Sequence, residues 1–547
     1  MDYLSLITGL CGGLGLFLYG MHIMAAGLQK AAGGKLKKVL EILTKNRLIG
    51  IIVGALVTAV IQSSSATTVM VVGFVNAGLM NLTQAVGIIM GANIGTTMTS
   101  WLVSSADFLN TDTLAPIAVF IGAAMVLFGK KTKTQQIGEI IIGFGVLFIG
   151  ISMMTAGVSP LSELDSFKNA FKEFGKNPFL GVLVGAGVTA IIQSSSASVG
   201  ILIALAANGL VTFDAAVYII MGQNIGTCAT ALLSSVGASK NAKGAAYIHL
   251  LFNVIGSVIF SIVAIIFFKV KPVVGVALIT PYWISIVHSG FNIANTVFMF
   301  PFAKVLVKLA EIMCRTSKNK VDEDSEILHL DDRILNTPSI AIASCIKEIV
   351  HLGNMSSKNL NLACEAVLSK KQESIEKIYE REEKIDNLTK AITQYLVKLC
   401  NSDITAEENN YITSLFHTVH DIERIGDHCE NLAEFTETLI TDNIDFSETA
   451  RVELEDMFDE TKKCVQNAVI ALRDNSIEYA EKVIKEEERV DVFEKTLRQK
   501  HIERLAANEC SPMVGVTFLD IITNIERVAD LALNVGQVVI KNNTTKA

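Results

Sequence analysis

The chain has no Walker loop, no nucleophile elbow and no CxxC pair, and its nine cysteines show no disulfide-like spacing. Several of them fall in apolar segments or in the charged C-terminal part, so they read as reduced, buried small residues. The Gly13-Leu14-Gly15 run is weak as a nucleotide fingerprint, and helices packing through small residues explain it better. No constellation of nucleophile, general base and cofactor is visible, so an enzyme is not expected. Acidic residues are scarce over residues 1 to 320, with 10 Asp plus Glu against 21 Lys plus Arg, a net of +11. Residues 321 to 547 carry 44 against 25, a net of −19. The first part reads as a membrane domain and the second as a soluble acidic one.

Segments 4 to 28, 84 to 104, 114 to 129, 136 to 158, 213 to 235, 245 to 268 and 274 to 300 are apolar. Most are long enough to cross a bilayer, the third being marginal. The first is no secretory signal: no basic residue precedes it, its apolar run is too long, and it has a partner inside the chain. Gly13, Gly15, Gly20, Met24, Ala26 and Gly27 recur as Gly143, Gly145, Gly150, Met154, Ala156 and Gly157 at an offset of 130.

A stronger duplication joins residues 46 to 104 with 177 to 235, without a gap and at an offset of 131. In each copy a polar cluster, Gln62 to Ser65 or Gln193 to Ser196, breaks an apolar block of hairpin length. A second cluster follows, Gly91 to Thr96 or Gly222 to Thr227. Paired interrupted segments in two halves of a membrane protein point to a transport site. Basic residues set the orientation. With Lys30, Lys35, Lys37, Lys38, Lys45, Arg47, Lys130, Lys131, Lys133, Lys240, Lys243, Lys304, Lys308, Arg315, Lys318 and Lys320 in the cytoplasm, the first residue is outside and the acidic part inside. Hairpin one then opens from the cytoplasm and hairpin two from outside, so the repeats are inverted. Lys168, Lys172 and Lys176 fall outside in this arrangement, among Glu163, Asp165 and Glu173.

Serine hydroxyls at a helix break can donate to an anion or offer oxygen to a hard cation. The amides at the following helix N-terminus favour an anion, and the carbonyls at the preceding C-terminus favour a cation. Asn93, Thr96 and Thr97 in copy one, with Asn224, Thr227 and Thr230 in copy two, extend this oxygen-rich lining. Gly91, Gly95, Gly222 and Gly226 are expected to let a helix unwind and bring its backbone close to an ion. Hydroxyls in membrane helices often only bond to neighbouring backbone, but two matched clusters, each followed by GxNIGT, favour a site. Neither hairpin core holds Lys or Arg. An anion there would be neutralised by bound cations and backbone dipoles, a physical reason for cation-coupled entry.

The doubled QSSS with GANIGT and GQNIGT resembles the type II sodium-phosphate cotransporter family over about residues 5 to 300. The resemblance implies that the two QSSS segments meet near the membrane centre and bind phosphate. Carried onto this chain, the substrate residues are Gln62, Ser63, Ser64, Ser65, Gln193, Ser194, Ser195 and Ser196. Thr67, Thr68, Asn93, Thr96, Asn224 and Thr227 are the residues for sodium or for support of its ligands. Copy two departs with Gln223 in place of Ala92 and Cys228 in place of Thr97.

From about 338 to 541 the sequence is amphipathic, charged and helix-forming, with prolines only at 338 and 512. DIERIGD at 421 to 427 matches NIERVAD at 524 to 530, and EEKID at 382 to 386 matches EERVD at 487 to 491, at offsets of 103 and 105. Two three-helix bundles follow from this spacing. The pattern resembles the PhoU family of phosphate-signalling regulators, whose bundles carry E-x-x-x-D motifs. Here the pairs are Glu382 with Asp386, Glu423 with Asp427, Glu487 with Asp491, and Glu526 with Asp530. Spacing of four places both carboxylates on one helical face, where they could share a hard cation or iron. His417, His420 and His428 neighbour one pair and read as incidental.

The expected fold is therefore all-α: a polytopic membrane transporter with inverted repeats and broken hairpins over 1–310 (repeats about 5–130 and 136–300), a linker over 311–337, and a cytoplasmic pair of three-helix bundles over 338–541. The expected function is sodium-coupled symport of inorganic phosphate into the cell, with a regulatory tail. A membrane-anchored phosphate sensor without transport and a transporter of another oxyanion stay open beside it. Sodium is the coupling ion and metal ions on the tail are a further expectation. The partners are phosphate, the lipid bilayer and further copies of the chain as a homo-oligomer, with no nucleic acid.

Overall fold

The computed structural model describes residues 3–41, 46–105, 111–314, 330–335, 338–402, 404 and 406–544. Lys45, Arg315, Lys318, Lys320 and most of the 311–337 linker lie outside the described residues. The described residues form no strand beyond one isolated bridge and divide into two compact units, Met1–Lys318 and Asn319–Ala547.

Repeat one comprises α1 (Tyr3–Glu41), the hairpin arms α2 (Arg47–Ile61) and α3 (Ser64–Asn76), α4 (Leu82–Ser104) and α5 (Thr111–Phe128). Repeat two comprises α6 (Thr132–Val158), α7 (Asp165–Lys176), the arms α8 (Pro178–Ile192) and α9 (Ser195–Ala207), α10 (Phe213–Gly226), α11 (Cys228–Ser234), α12 (Lys240–Val270), α13 (Pro272–Val276) and α14 (Pro281–Met299). The unit closes with α15 (Ala303–Met313). Five stretches among the described residues are long and apolar enough to cross a membrane: Leu6–Ala31, Leu82–Ser104, Thr132–Glu163, Phe213–Ser234 and Lys240–Val270. The chain is a membrane protein.

The recurring glycines of α1 and α6 bring these two helices together. A Cβ added at Gly20 would stand 2.4 Å from Leu147 N, and one at Gly143 would stand 2.3 Å from Met24 N. Without a water-driven hydrophobic effect between helices, such close backbone approach is what holds them. Lys30 Nζ meets Glu139 Oε1 at 2.9 Å, so the end of α1 and the start of α6 share one side.

Two elements differ from the hydropathy reading. The stretch 274–300 is not one helix, because Pro281 turns the residue before it to extended backbone. The extended segment needs partners in an apolar setting. It finds them in the loop before α10, where Phe213 N donates to Ala277 O at 2.8 Å and Ile279 N donates to Val211 O at 3.0 Å. Second, residues 165–176 form an amphipathic helix bent by 112° from α8. Phe167, Phe171 and Phe174 pack against one another, tilted and edge-on, along one face while Lys168 and Lys172 stay outside it, the pattern of a helix lying in a membrane interface.

The second unit holds α16 (Pro338–Ser369), α17 (Gln372–Cys400) and α18 (Ala406–Thr441), followed by α19 (Glu448–Asp474), α20 (Ile477–Ala506) and α21 (Pro512–Thr544). These are two three-helix bundles with apolar cores, for example Ile378, Ile385, Leu415 and Cys429 in the first and Val483, Val490, Ile521 and Ile525 in the second.

Candidate functional site

Each hairpin is built by the same local chemistry. Asn46 caps α2 by accepting from Leu48 N at 3.1 Å, and Asn177 caps α8 by accepting from Leu180 N at 3.3 Å. At the other end of these arms Gln62 and Gln193 take left-handed backbone, with φ of 57° and 56°. Their amides close the arms on Thr58 O at 2.7 Å and Thr189 O at 2.8 Å. A non-glycine residue there is strained, and the same strain recurs at both breaks. The next residue caps the second arm: Ser63 Oγ accepts from Ala66 N at 3.1 Å, and Ser194 Oγ accepts from Ala197 N at 3.2 Å. Each QSSS is thus a helix C-terminus facing a helix N-terminus across two residues. Carbonyls are offered on one side and amides and hydroxyls on the other.

The arms are also tied within each hairpin. Thr58 Oγ1 donates to Thr67 Oγ1 at 3.0 Å, and at the equivalent place Thr189 Oγ1 donates to Ser198 Oγ at 2.9 Å. One residue then joins the two hairpins. Thr99 Oγ1, from α4, donates to Gln62 Oε1 at 2.9 Å and accepts from Ser196 Oγ at 3.3 Å. Gln62, Thr99 and Ser196 are all buried. The structure therefore brings hairpin one's glutamine and hairpin two's last serine together through a threonine that sequence reasoning missed.

The remaining expected residues are placed as follows. Ser64 and Ser65 lie in the first turn of α3, and Ser195 in the first turn of α9. Thr67 and Thr68 bond back to Ser63 O at 3.1 Å and Ser64 O at 2.8 Å, which anchors the N-terminus of α3. Asn93 and Asn224 donate to Ile89 O and Ile220 O, both at 2.8 Å, while Thr96 and Thr227 donate to Ala92 O at 3.0 Å and Gln223 O at 2.9 Å. All four are buried and keep acceptor lone pairs. Gln193 is not joined to this network and is exposed. Thr230, the counterpart of Thr99, is half-buried, and its inaccessible hydroxyl has no partner among the described residues.

The glycines of GxNIGT do something other than unwind α4. Cβ atoms at Gly91 and Gly95 would fall 2.0 Å from Ile51 O and 2.4 Å from Ala55 O, and at Gly222 and Gly226 2.0 Å from Val182 O and 2.5 Å from Ala186 O. They let α4 and α10 lie against the backbone of α2 and α8, which fixes the breaks. Helix α4 stays continuous, and only repeat two breaks, at Thr227. The departures in repeat two have local roles. Gln223 Nε2 donates to Ser198 Oγ at 2.9 Å, and Cys228 Sγ accepts from Asn253 Nδ2 at 3.3 Å. A cavity of about 370 Å³ opens on Gln62 and Ser63 beside His22 and Gln29 of α1.

In the second unit Glu487, Asp491 and Asp530 bring carboxylate oxygens within 4.8 Å of one another. Burial first, then Asp491 and Asp530, pushes the Glu487 carboxyl above the usual range, and burial does the same for Asp530 against the pull of Arg527. Glu526, also raised by burial and then by Asp530, lies beside Arg527. In the first bundle the four acids do not converge in this way. Asn359 Nδ2 donates to the buried Glu382 Oε2 at 3.4 Å, Asp386 pairs with Lys390 at 3.5 Å, and Glu423 pairs with His420 at 3.1 Å. Asp427 acts on Glu382 and Glu423 through its charge. His428 Nδ1 meets Asn524 Oδ1 at 2.8 Å, a contact between bundles.

Duplicated broken hairpins facing one another inside an apolar unit, with a separate bundle unit, have the build of a helical membrane-transporter fold joined to a helical-bundle domain. Residues 16–156 and 150–280 match the Na+/Pi-cotransporter family, and residues 349–436 and 454–539 match the PhoU domain. The chain belongs to the Na+/Pi-cotransporter family and carries PhoU domains in its C-terminal part. It is 24% identical over 497 residues to the "Putative inorganic phosphate export protein YjbB" of Salmonella typhimurium, covering 91% of this chain and 90% of that one. It is 32% identical to the uncharacterized protein YqeW of Bacillus subtilis over 44% of this chain and 76% of that one. Over 96 residues, 17% of this chain and 15% of the relative, it is 40% identical to sodium-dependent phosphate transport protein 2A of Rattus norvegicus.

Proposed function

We propose that the protein carries inorganic phosphate across the membrane together with sodium, binding phosphate between the two QSSS breaks. The observation that supports this most is Thr99, whose hydroxyl ties Gln62 to Ser196 and so makes one site from two repeats. Phosphate is held by the first-turn amides of α3 and α9 and the hydroxyls of Ser63, Ser64, Ser65, Ser194, Ser195 and Ser196, with Gln62 and Gln193 beside them. Sodium takes oxygens of the Thr67, Thr68, Asn93, Thr96, Asn224 and Thr227 set, and its charge replaces the Lys or Arg the hairpin cores lack. In this reading the first residue lies outside and the bundles lie in the cytoplasm, where they sense phosphate status, an orientation that the basic residues of the connecting segments support. The carboxylates of Glu487, Asp491 and Asp530 suit a hard cation, whose charge would relieve their mutual repulsion.

An inward sodium gradient drives such a symporter inward. A second reading, export, rests on the printed name of YjbB, a relative that matches nearly the whole chain. Radiolabelled phosphate flux in proteoliposomes, with sodium gradients of either direction and with none, tests both. Uptake that follows the sodium gradient supports symport. Efflux independent of sodium supports export, and binding without flux would leave a sensor.

A further inference from the structure

A further set of buried polar residues lies on α12 and α14, and a short repeat generates it. His249-Leu-Leu-Phe252-Asn253-Val-Ile-Gly-Ser257 and His288-Ser-Gly-Phe291-Asn292-Ile-Ala-Asn295-Thr296 align at an offset of 39. Each helix therefore carries an asparagine one turn after a histidine and a hydroxyl one turn after the asparagine. The two asparagines take the same pose. Asn253 Nδ2 donates to His249 O at 3.0 Å, and Asn292 Nδ2 donates to His288 O at 2.9 Å. Asn295 reaches between the helices: its Nδ2 donates to Phe252 O at 3.2 Å, and its amide occupies the space a Cβ on Gly256 would need.

A backbone carbonyl only accepts, so each contact fixes the amide nitrogen toward it and the amide oxygen away from it. Asn253 Oδ1, Asn292 Oδ1 and Asn295 Oδ1 then have no hydrogen-bonding partner among the described residues, and neither has Thr296 Oγ1. The three asparagines are 0% exposed and Thr296 is 4% exposed. Orphaned oxygens on one turn of α14 and the adjoining turn of α12 are costly inside a membrane segment unless a donor or a cation meets them. Neither helix contains Asp or Glu. Neutral amide and hydroxyl oxygens are the donor set of a hard cation of low charge, completed by water, which would also reach the unpartnered ring nitrogens of His249.

We infer that α12 and α14 build a sodium site of their own, with Asn292, Asn295 and Thr296 as ligands from α14 and Asn253 from α12. The site is separate from the hairpins and holds whether or not they take phosphate. Its occupancy bears on repeat two, because Asn253 also donates to Cys228 at the start of α11, directly after the break at Thr227.

The test is equilibrium binding of radiolabelled sodium to the full-length protein in detergent without phosphate, read together with melting in sodium chloride against choline chloride. Thr296→Val removes an oxygen that bonds nothing and keeps the volume. It should melt higher than the intact protein in choline, and its half-saturating sodium should rise at least about fivefold. Asn295→Ala should bind one sodium fewer per chain. Ser63→Ala and Ser194→Ala should weaken phosphate binding and leave the α12–α14 sodium in place. Failure of the hairpin reading would therefore show in phosphate binding alone. If Thr296→Val binds as many sodium ions at unchanged half-saturation, the layer holds only water and the inference is overturned, and the same result for a monodisperse Asn295→Ala overturns it independently.

Discussion

Thr99→Val isolates the contact on which the two-repeat site depends. The change keeps shape and removes one hydroxyl, which donates to Gln62 Oε1 at 2.9 Å and accepts from Ser196 Oγ at 3.3 Å. Both partners are buried, so each is left to find a new bond or go without. A stranded buried polar group costs about 1–3 kcal/mol, and the longer Ser196 contact weighs less, so the sum is about 2–4 kcal/mol. Expressed through phosphate binding, that is roughly a 30- to 1000-fold loss. The assay is sodium-driven uptake of labelled phosphate by proteoliposomes at matched protein content, with melting of the same preparations as the structural readout.

Thr99→Ser keeps the hydroxyl and should stay within about threefold of the intact protein, because the bond and not the methyl group carries the effect. Thr230→Val supplies the internal comparison. It removes a buried hydroxyl with no partner, so it should leave melting unchanged or raise it. Uptake by Thr99→Val within twofold of the intact protein, with unchanged melting, would refute the idea that this hydroxyl holds the two breaks together.

Gln62→Ala and Gln193→Ala should each abolish uptake without loss of membrane expression. Gln193→Gly, at the exposed break whose side chain is not joined to the network, should also fail in uptake while gaining about 1 kcal/mol of backbone relief at its left-handed φ, measurable as a higher melting temperature. For topology, single cysteines at the exposed Ser166 and Lys240, with the native cysteines replaced, should label from outside and from the cytoplasm respectively; labelling from one side would remove the inverted arrangement. In the second unit, burial, then Asp427 and Asp386, holds the Glu382 carboxyl up at about 8. A carboxyl raised in the fold stabilises it when protonated, so hydrogen-exchange protection of α17 should fall as pH rises from about 4.5 toward 8, and Glu382→Gln should flatten that slope. Truncation after Lys320 should spare transport but leave uptake running in phosphate-replete cells where the intact protein slows; equal uptake at equal expression would end the feedback idea.

What could be read from the sequence was what local chemistry repeats. Asn46 and Asn177, Gln62 and Gln193, and Ser63 and Ser194 fall in equivalent places and make equivalent caps, so the hairpin breaks were visible before any coordinates. Contacts set by packing phase were not visible. Thr99 is one of several hydroxyls in the run 96–100, and only the rotation of α4 against α2 and α9 selects it. The glycines of GxNIGT admit either unwinding or close packing; the nearness of Ile51 O and Val182 O shows packing in both copies, and only α10 also breaks, at Thr227. The apolar run 274–300 hid a break that Pro281 already marked. The His-Phe-Asn repeat on α12 and α14 lay at an offset of 39, outside the 131-residue period that dominates the chain.

One further point follows from the unequal halves. The two QSSS motifs are identical, yet Gln62 is buried and bonded to Thr99, whereas Gln193 is exposed and Thr230 has no partner. One position beside the hairpins also differs between the repeats. Repeat one has Ala92, which offers no hydrogen bond to the hydroxyl pair of its hairpin, so Thr58 donates to Thr67 and Thr67 bonds back to Ser63 O. Repeat two has Gln223, whose amide adds a third member to the Thr189 and Ser198 pair and keeps an unpartnered Oε1 beside it. A long side chain there binds α10 to α9 from within repeat two, while α4 reaches across to α9 from repeat one. The second hairpin is therefore held from both repeats, and Gln193 is the part of it that neither holds.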